Sequence, residues 1–354
     1  MQASRVTRRP QLSFMKYFLA LCCAFAVSGC SQVQPYADSP QFNNERGRFE
    51  HPSAKNIDKP FSDLLRWRRE AGDLPPDPRV GVGFETRTPQ PEEFENHAVW
   101  LGHSTLLVSY NGQRVLTDPI FGTRASPVSF AGPKRETPLP IDPTQLPSIL
   151  ATVISHNHYD HLDKASVQTL ARLQPDMLWV VPLGLKPLLS RWGAPKVVEL
   201  DWWQSIAVNG VRLTATPVQH WSARTLRDRN QTLWAGWMVD WSDFKFYFAG
   251  DTGYSNDFNE TRQRLGAPDL AAIPIGAYEP RWFMKDAHVN PEESVQVFQD
   301  LQAQQAIGIH WGTFVLTDEP MEQPLTRLME ALTEQGIDSK RFQALKHGGA
   351  LALD

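Results

Sequence analysis

Beyond residue 30 the chain contains no cysteine. Cys22, Cys23 and Cys30 all lie in the first thirty of its 354 residues. The body therefore has no disulfide and no thiolate metal ligand, so any metal site in it must be built from histidine and carboxylates. Long apolar runs are missing as well: the best candidate, within residues 15–30, is too short to span a bilayer. Positive charge is not in excess. The formal net charge is −4. Residues 1–29 hold four basic residues (Arg5, Arg8, Arg9, Lys16) and no acid, which leaves 31 basic against 39 acidic residues, or −8, in the remainder. That balance argues against a general nucleic-acid binder. No short internal repeat is visible.

What is present suits a soluble globular protein. Hydrophobic residues make up 41% and charged residues 21%, and the length fits one large domain with appendages. The twelve tryptophans must lie in the core or line an apolar surface or channel.

The N-terminus reads as an address. Met15–Cys30 places Lys16 before a short apolar core, then Val27-Ser28-Gly29-Cys30. This is a signal peptide whose end resembles the bacterial lipobox, with Cys30 as the lipidated residue of the mature chain. Ser31 resembles the pattern for outer-membrane sorting. The expectation is an envelope protein held on the outer membrane by its lipid, facing the periplasm, and not spanning the bilayer.

Residues 1–29 are therefore expected to be signal, and 30–60, polar and holding Pro35, Pro40, Pro52 and Pro60, a tether and extended lead-in. Residues 61–95 read as a helix and a loop. In residues 61–71, Phe61, Leu64, Leu65 and Arg68 share one face, and the helix is expected to pack on its own domain. The main domain is expected over 96–354. Val99–Tyr110 and Arg114–Thr117 flank Asn111-Gly112, a hairpin signal. Residues 121–148 form a long proline-rich insertion. Later apolar runs predict strands at 178–181, 196–200, 205–208, 212–217, 233–241, 245–249, 271–274 and 306–309, with a last strand within 343–353. Helices are expected at 164–173, 184–192, 291–301 and 321–335. Asn290, Pro291 and Glu292-Glu293 mark a strong helix start.

The densest chemical signal is Ser155-His156-Asn157-His158-Tyr159-Asp160-His161-Leu162-Asp163, after the apolar run Ala151-Thr152-Val153-Ile154. No regular helix or strand turns three imidazoles and a carboxylate within six positions towards one point, so this is a loop at a strand end. Neutral imidazoles with a hard carboxylate suit zinc or a neighbouring transition metal, iron or manganese included. His220, Asp251 in Gly-Asp-Thr-Gly, and His310 each follow another apolar strand. With the loop they make seven candidate ligands at strand ends, enough for a pair of metals. His103 is read as a strand histidine, in the pocket or behind the ligands at most.

The order and spacing resemble the metallo-β-lactamase superfamily. That resemblance implies a four-layer αββα sandwich, two mixed sheets with helices outside. It implies His156, His158 and His220 on a first metal, Asp160, His161 and His310 on a second, and Asp251 bridging. Trp100-Leu101-Gly102-His103-Ser104-Thr105, Gly132-Pro133-Lys134-Arg135, Gly250-Asp251-Thr252-Gly253-Tyr254, Ile275-Gly276-Ala277-Tyr278-Glu279-Pro280-Arg281 and His288-Val289-Asn290-Pro291-Glu292-Glu293 add a closer likeness. Together with the loop they resemble the N-acylphosphatidylethanolamine-hydrolysing phospholipase D family over about residues 60–354. The likeness implies phospholipid phosphodiester hydrolysis with two divalent cations, zinc first. Asp160 would help orient the nucleophile, and His288 and Tyr159 would lie near the phosphate. His288 could donate a hydrogen bond or a proton, and Arg281 could meet the head-group phosphate. The alternative on the same site is a lactonase or another small-molecule hydrolase.

Overall fold

A computed structural model describes Tyr36 and residues 38–54 and 57–353. The signal segment, Cys30 and the start of the tether lie outside the described residues. Sixteen strands occur among them: β1 (Phe42–Asn43), β2 (Arg48–Phe49), β3 (His97–Gly102), β4 (Thr105–Tyr110), β5 (Gln113–Thr117), β6 (Ala151–Val153), β7 (Leu178–Pro182), β8 (Val197–Leu200), β9 (Ser205–Val208), β10 (Val211–Thr216), β11 (Gly236–Asp240), β12 (Lys245–Phe248), β13 (Leu270–Pro274), β14 (Gln305–Ile309), β15 (Phe342–Gln343) and β16 (Ala350–Ala352). The helices are α1 (Phe61–Ala71), α2 (Lys164–Leu173), α3 (Lys186–Arg191), α4 (Asp257–Leu265), α5 (Arg281–Met284), α6 (Pro291–Leu301) and α7 (Gln323–Glu334).

Side-chain alternation sets the layers. Along β3 to β7, Trp100, Leu106, Val108, Val115, Val153 and Val180 face an inter-sheet core, while Val99, Leu101, Leu107, Leu116, Trp179 and Val181 face a second core shared with α2 and α3. The first sheet has the order β16-β3-β4-β5-β6-β7-β8 and the second β15-β14-β13-β12-β11-β10-β9, each with seven strands. Both mix parallel and antiparallel pairs. With helices on the outer sides this is the expected αββα sandwich. All of β6 and β13 is buried, as inner strands covered on both faces require.

Strand direction explains where chemistry collects. In the first sheet β3, β5 and β6 run the same way, because β4 is antiparallel to both β3 and β5 and β6 is parallel to β5. In the second, β10, β12 and β14 run the same way by the same reasoning. All six strands send their C-terminal ends into loops that meet at one edge of the sandwich.

Several sequence expectations change. Val99–Tyr110 is two strands, since Gly102 (φ 107°) and His103 (φ 53°) reverse the chain between β3 and β4. His103 is therefore a turn residue. The 343–353 stretch splits between sheets, with β15 beside β14 and β16 beside β3. The described part of the lead-in is no loose tether. β1 and β2 pair, Phe42 and Phe49 are buried, Phe49 N–H donates to the Asn230 carbonyl at 2.7 Å, and His51 Nε2 lies 2.8 Å from Asp257 Oδ2. The insertion 121–148 is pinned as well. Thr137 is buried against the Gly312 carbonyl, and Arg135 donates to the carbonyls of Gly122 and Ile120.

Helix α1 does dock on its own domain, by part of the expected face: Leu64 and Arg68 are half-buried beside Trp67. Trp67 donates to Asp318 at 2.6 Å and stacks near Phe283 in α5, while Arg66 covers Trp282. Phe61 and Leu65 stay 60% and 50% exposed. Among the described residues no helix is long and apolar enough to cross a membrane.

Candidate metal centre

Strand ends supply every group. His156, His158, Asp160 and His161 occupy the loop between β6 and α2. Asp163 closes that loop by accepting hydrogen bonds from the N–H groups of Ala165 and Ser166, which starts α2. His220 follows β10, Asp251 follows β12 and His310 follows β14. Trp237 Nε1 reaches across from the second sheet to the Ile154 carbonyl at 2.9 Å, tying the root of the loop to the opposite layer.

The structure brings all seven sequence-predicted ligands together, in two groups. One ligand atom from each of His156, His158, His220 and Asp251 lies within 4.8 Å of the others, and the same holds for His103, Asp160, His161 and His310. In the first group His156 Nε2 and His158 Nδ1 are 2.7 Å apart, and Asp251 Oδ2 lies 3.9 Å from His156 and 3.8 Å from His220. In the second, Asp160 Oδ2 lies 3.3 Å from His161 Nε2 and 3.2 Å from His310 Nε2. Asp251 faces both groups: its Oδ2 is 3.1 Å from His161 and its Oδ1 is 3.2 Å from His310.

These donors fit a metal better than they fit each other. Among the cluster-facing atoms, His161 Nε2 and Asp251 Oδ1 are buried without a hydrogen-bond partner, a costly state unless something else satisfies them. Burial holds the imidazoles of His158 and His220 down to about 3, so both are neutral and have a free lone pair. His310 and His161 go the other way. Burial opposes their charge, yet Asp251 and Asp160 raise His310 to about 9 and His161 well above its ordinary value. Protons there stand where a cation would otherwise balance two buried carboxylates.

Supporting contacts fix several of these rings. Asp118, at the end of β5, is fully buried. Its Oδ2 lies 2.7 Å from His161 Nδ1, and its Oδ1 accepts from Ser155 N–H at 2.6 Å. His220 Nδ1 meets the Ala287 carbonyl at 2.9 Å. Three residues here take positive φ just past their strands: His103 at 53°, Asp118 at 31° and His310 at 63°. Such backbone strain, about 1–3 kcal/mol per residue, persists where the surroundings over-determine it and clusters at functional sites. Asp118 closes its strand in Asp118-Pro119, a signal of the same kind as Asp251, but nothing local to it shows which ring it serves.

The expected substrate contacts divide. His288 belongs to the site: its Nδ1 is 4.0 Å from Asp251 Oδ2, its ring lies 5.2 Å from that of His220, and it is 11% exposed at the mouth. Tyr159 lies on the rim, with its hydroxyl donating to the Arg224 carbonyl at 3.0 Å and the Arg224 guanidinium 3.9 Å above its ring. Arg281 is engaged within the protein. Its guanidinium pairs with Glu293 at 2.7 Å and donates to the His288 carbonyl at 2.7 Å. It is committed to holding the backbone of His288, because its partners lie on α6 and the preceding loop. Arg224, which the sequence did not single out, donates to the carbonyls of Asn157 and Leu162, bracketing the metal loop.

Fold and site together define a metal-dependent hydrolase of the metallo-β-lactamase class. Residues 113–311 match the family model of the beta-lactamase superfamily domain, and the chain belongs to that superfamily. Within it, the chain is 46% identical over 246 residues to N-acyl-phosphatidylethanolamine-hydrolyzing phospholipase D 1 of Caenorhabditis elegans, covering 66% of this chain and 69% of that one. It is 39% identical over 244 residues to the mitochondrial enzyme of the same name from Saccharomyces cerevisiae, covering 67% of this chain and 52% of the yeast one. The chain thus spans between half and about two thirds of these relatives' lengths. The crystal structure of isothiocyanate hydrolase from Delia radicum gut bacteria shares the fold, with a TM-score of 0.58 at 21% identity over 73% of this chain and 99% of that one.

Proposed function

We propose that the protein hydrolyses the phosphodiester bond of N-acylphosphatidylethanolamine, or of a related phospholipid, on the head-group side, leaving phosphatidic acid. The observation that carries this reading is the 46% identity to a relative named for that reaction, over a chain that places His288 beside the paired clusters.

His156, His158 and His220 would hold one divalent cation, Asp160, His161 and His310 a second, with Asp251 between them. Zinc is the first choice, and iron or manganese suit the same donors. Bound there, such cations supply Lewis acidity: they make water more acidic and neutralise charge on phosphoryl oxygens. The chain does the rest. Asp160, held at the rim of the second cluster and 13% exposed, orients the attacking water. His288, held through its carbonyl by Arg281 and kept neutral by burial, would donate a ring N–H hydrogen bond to the departing head-group oxygen, whose proton comes, through solvent, from the attacking water. Exposed Phe61 and Leu65 on α1 support a lipid as substrate. We propose also that lipidation of Cys30 keeps the enzyme on the membrane that holds that substrate. Cys30→Ser should then move the protein from the membrane fraction to the soluble one, and unchanged fractionation would refute the anchor.

The test is product release from vesicles of N-acylphosphatidylethanolamine, phosphatidylethanolamine and phosphatidylcholine, using zinc-loaded protein lacking residues 1–29. Phosphatidic acid from the N-acyl lipid is the expected product, and comparison with the other two shows whether the N-acyl group matters. No turnover of any lipid by protein with two bound metals would refute the phospholipase reading and favour lactone or small phosphodiester substrates.

A further inference from the structure

The second cluster contains a histidine that the ligand pattern does not use. His103 is 1% exposed, and its Nε2 lies 3.0 Å from Asp160 Oδ2, the same oxygen that faces His161 and His310. Its backbone is held by three hydrogen bonds. His103 N–H donates to Thr313 Oγ1 at 2.7 Å, and its carbonyl accepts from Trp100 Nε1 at 2.8 Å and from His310 N–H at 3.0 Å. Its ring is flanked by His310, with centroids 4.1 Å apart, and by the edge of Phe314 at 5.2 Å. The left-handed backbone at φ 53° aims the side chain away from both strands and onto the loop that carries Asp160.

The contact constrains the proton. A carboxylate oxygen only accepts, so the imidazole nitrogen facing it must carry hydrogen. His161 and His310 face the same oxygen but also face Asp251, at 3.1 and 3.2 Å, so a cation between the two carboxylates would take the place of their protons; His103 meets Asp160 alone, and while its Nε2 carries hydrogen it has no lone pair there to give a metal. Asp160, by contrast, has lone pairs to spare, and can accept from His103 while offering another to a cation. Hydrogen bonds of this kind behind a ligand fix its orientation and tune its affinity.

We infer that His103 is a positioning residue for Asp160, donating through Nε2–H to hold that carboxylate at the second metal position without itself becoming a ligand. This rests on the two-metal reading above. It also gives β3 a function: through His103 the first hairpin of the domain acts on a loop that begins some fifty residues later.

Two amides one methylene apart test it. Asparagine tolerates the left-handed backbone but is too short to reach Asp160, whereas glutamine places an N–H near the position of Nε2. Wild type, His103→Asn and His103→Gln would be titrated with zinc against a chromophoric chelator, and with cobalt(II) while its visible bands are followed. Wild type should bind two equivalents. His103→Asn should keep the first and weaken the second by about 10–100-fold, the cost of removing such a support. His103→Gln should stay within about threefold of wild type, since the charge-assisted bond is retained. The cobalt bands of the saturated variants should match wild type, because the ligand set is unchanged.

Equal affinity in all three proteins, or a His103→Gln as weak as His103→Asn, overturns the inference. Altered cobalt bands in both saturated variants also overturn it, by making His103 a ligand. A wild type that binds a single equivalent overturns the two-metal reading itself and this inference with it.

Discussion

Asp118→Asn should loosen one metal without removing any ligand. In the wild type Asp118 Oδ1 accepts the Ser155 backbone N–H at 2.6 Å, while Oδ2 faces His161 Nδ1 at 2.7 Å and also accepts from the Ser155 hydroxyl. The backbone N–H cannot turn, so an asparagine must present its oxygen there. Its NH2 then lands where Oδ2 stood. The Ser155 hydroxyl can rotate and accept, but His161 must change tautomer: Nδ1 becomes the acceptor and the proton moves to Nε2. That is the atom facing Asp251 at 3.1 Å and Asp160 at 3.3 Å, so the second position loses a lone pair. The expected cost is about 10–100-fold in affinity, or about 1.4–2.7 kcal/mol at 1.36 kcal/mol per decade. Zinc titration against a competing chelator reads this directly, with thermal unfolding in excess chelator as the control for folding. Unchanged affinity for the second equivalent would refute the tautomer argument.

His288→Ala should lower turnover by about 100-fold or more with metal content preserved, as measured by elemental analysis beside the lipid assay; loss of a metal would instead make His288 a ligand. Zinc uptake below pH 9 should release protons, because His161 and His310 are charged in the metal-free protein and must be neutral to ligate; calorimetry in buffers of different ionisation enthalpy would show it, and uptake without release at pH 7 would contradict it. The same groups set the pH dependence of the metal-free fold. His310 is raised to about 9, so its stabilisation is fully present below the ordinary histidine pKa of about 6.5 and is lost as pH rises through about 9; a melting temperature that rises over that window would reverse the sign. Trp237→Phe should destabilise the protein by about 1–3 kcal/mol, since the Ile154 carbonyl loses its 2.9 Å donor; urea unfolding measures it, and a change near zero would mean that the loop root finds another donor.

The centre was legible because its signal is local. Four donors in six positions at a strand end have few alternatives, and His220, Asp251 and His310 repeat the strand-then-turn pattern. The start of α6 was legible for the same reason: Asn290 and Glu293 form a reciprocal cap within one turn. What failed needed partners distant in sequence. Phe42 and Phe49 read as tether residues because the surface that buries them comes from elsewhere in the chain. The contacts of Arg281 with Glu293 and the His288 carbonyl likewise have no signature in the sequence. His103 looked like a strand residue because Gly102-His103 carries no standard turn signature, and its left-handed φ is imposed by Thr313, Trp100 and His310. Helix α4 went unseen because only Phe258 and Thr261 of its nine residues are buried, too few to print a period.

The most direct test of the account is a zinc titration of the metal-free enzyme, with phosphatidic acid release followed at each addition, beside Asp251→Ala. Two groups of donors sharing Asp251 predict activity that rises until about two equivalents are bound and is abolished when Asp251 is removed. Full activity at one equivalent, or retained turnover in Asp251→Ala, would contradict a two-metal centre organised on that carboxylate.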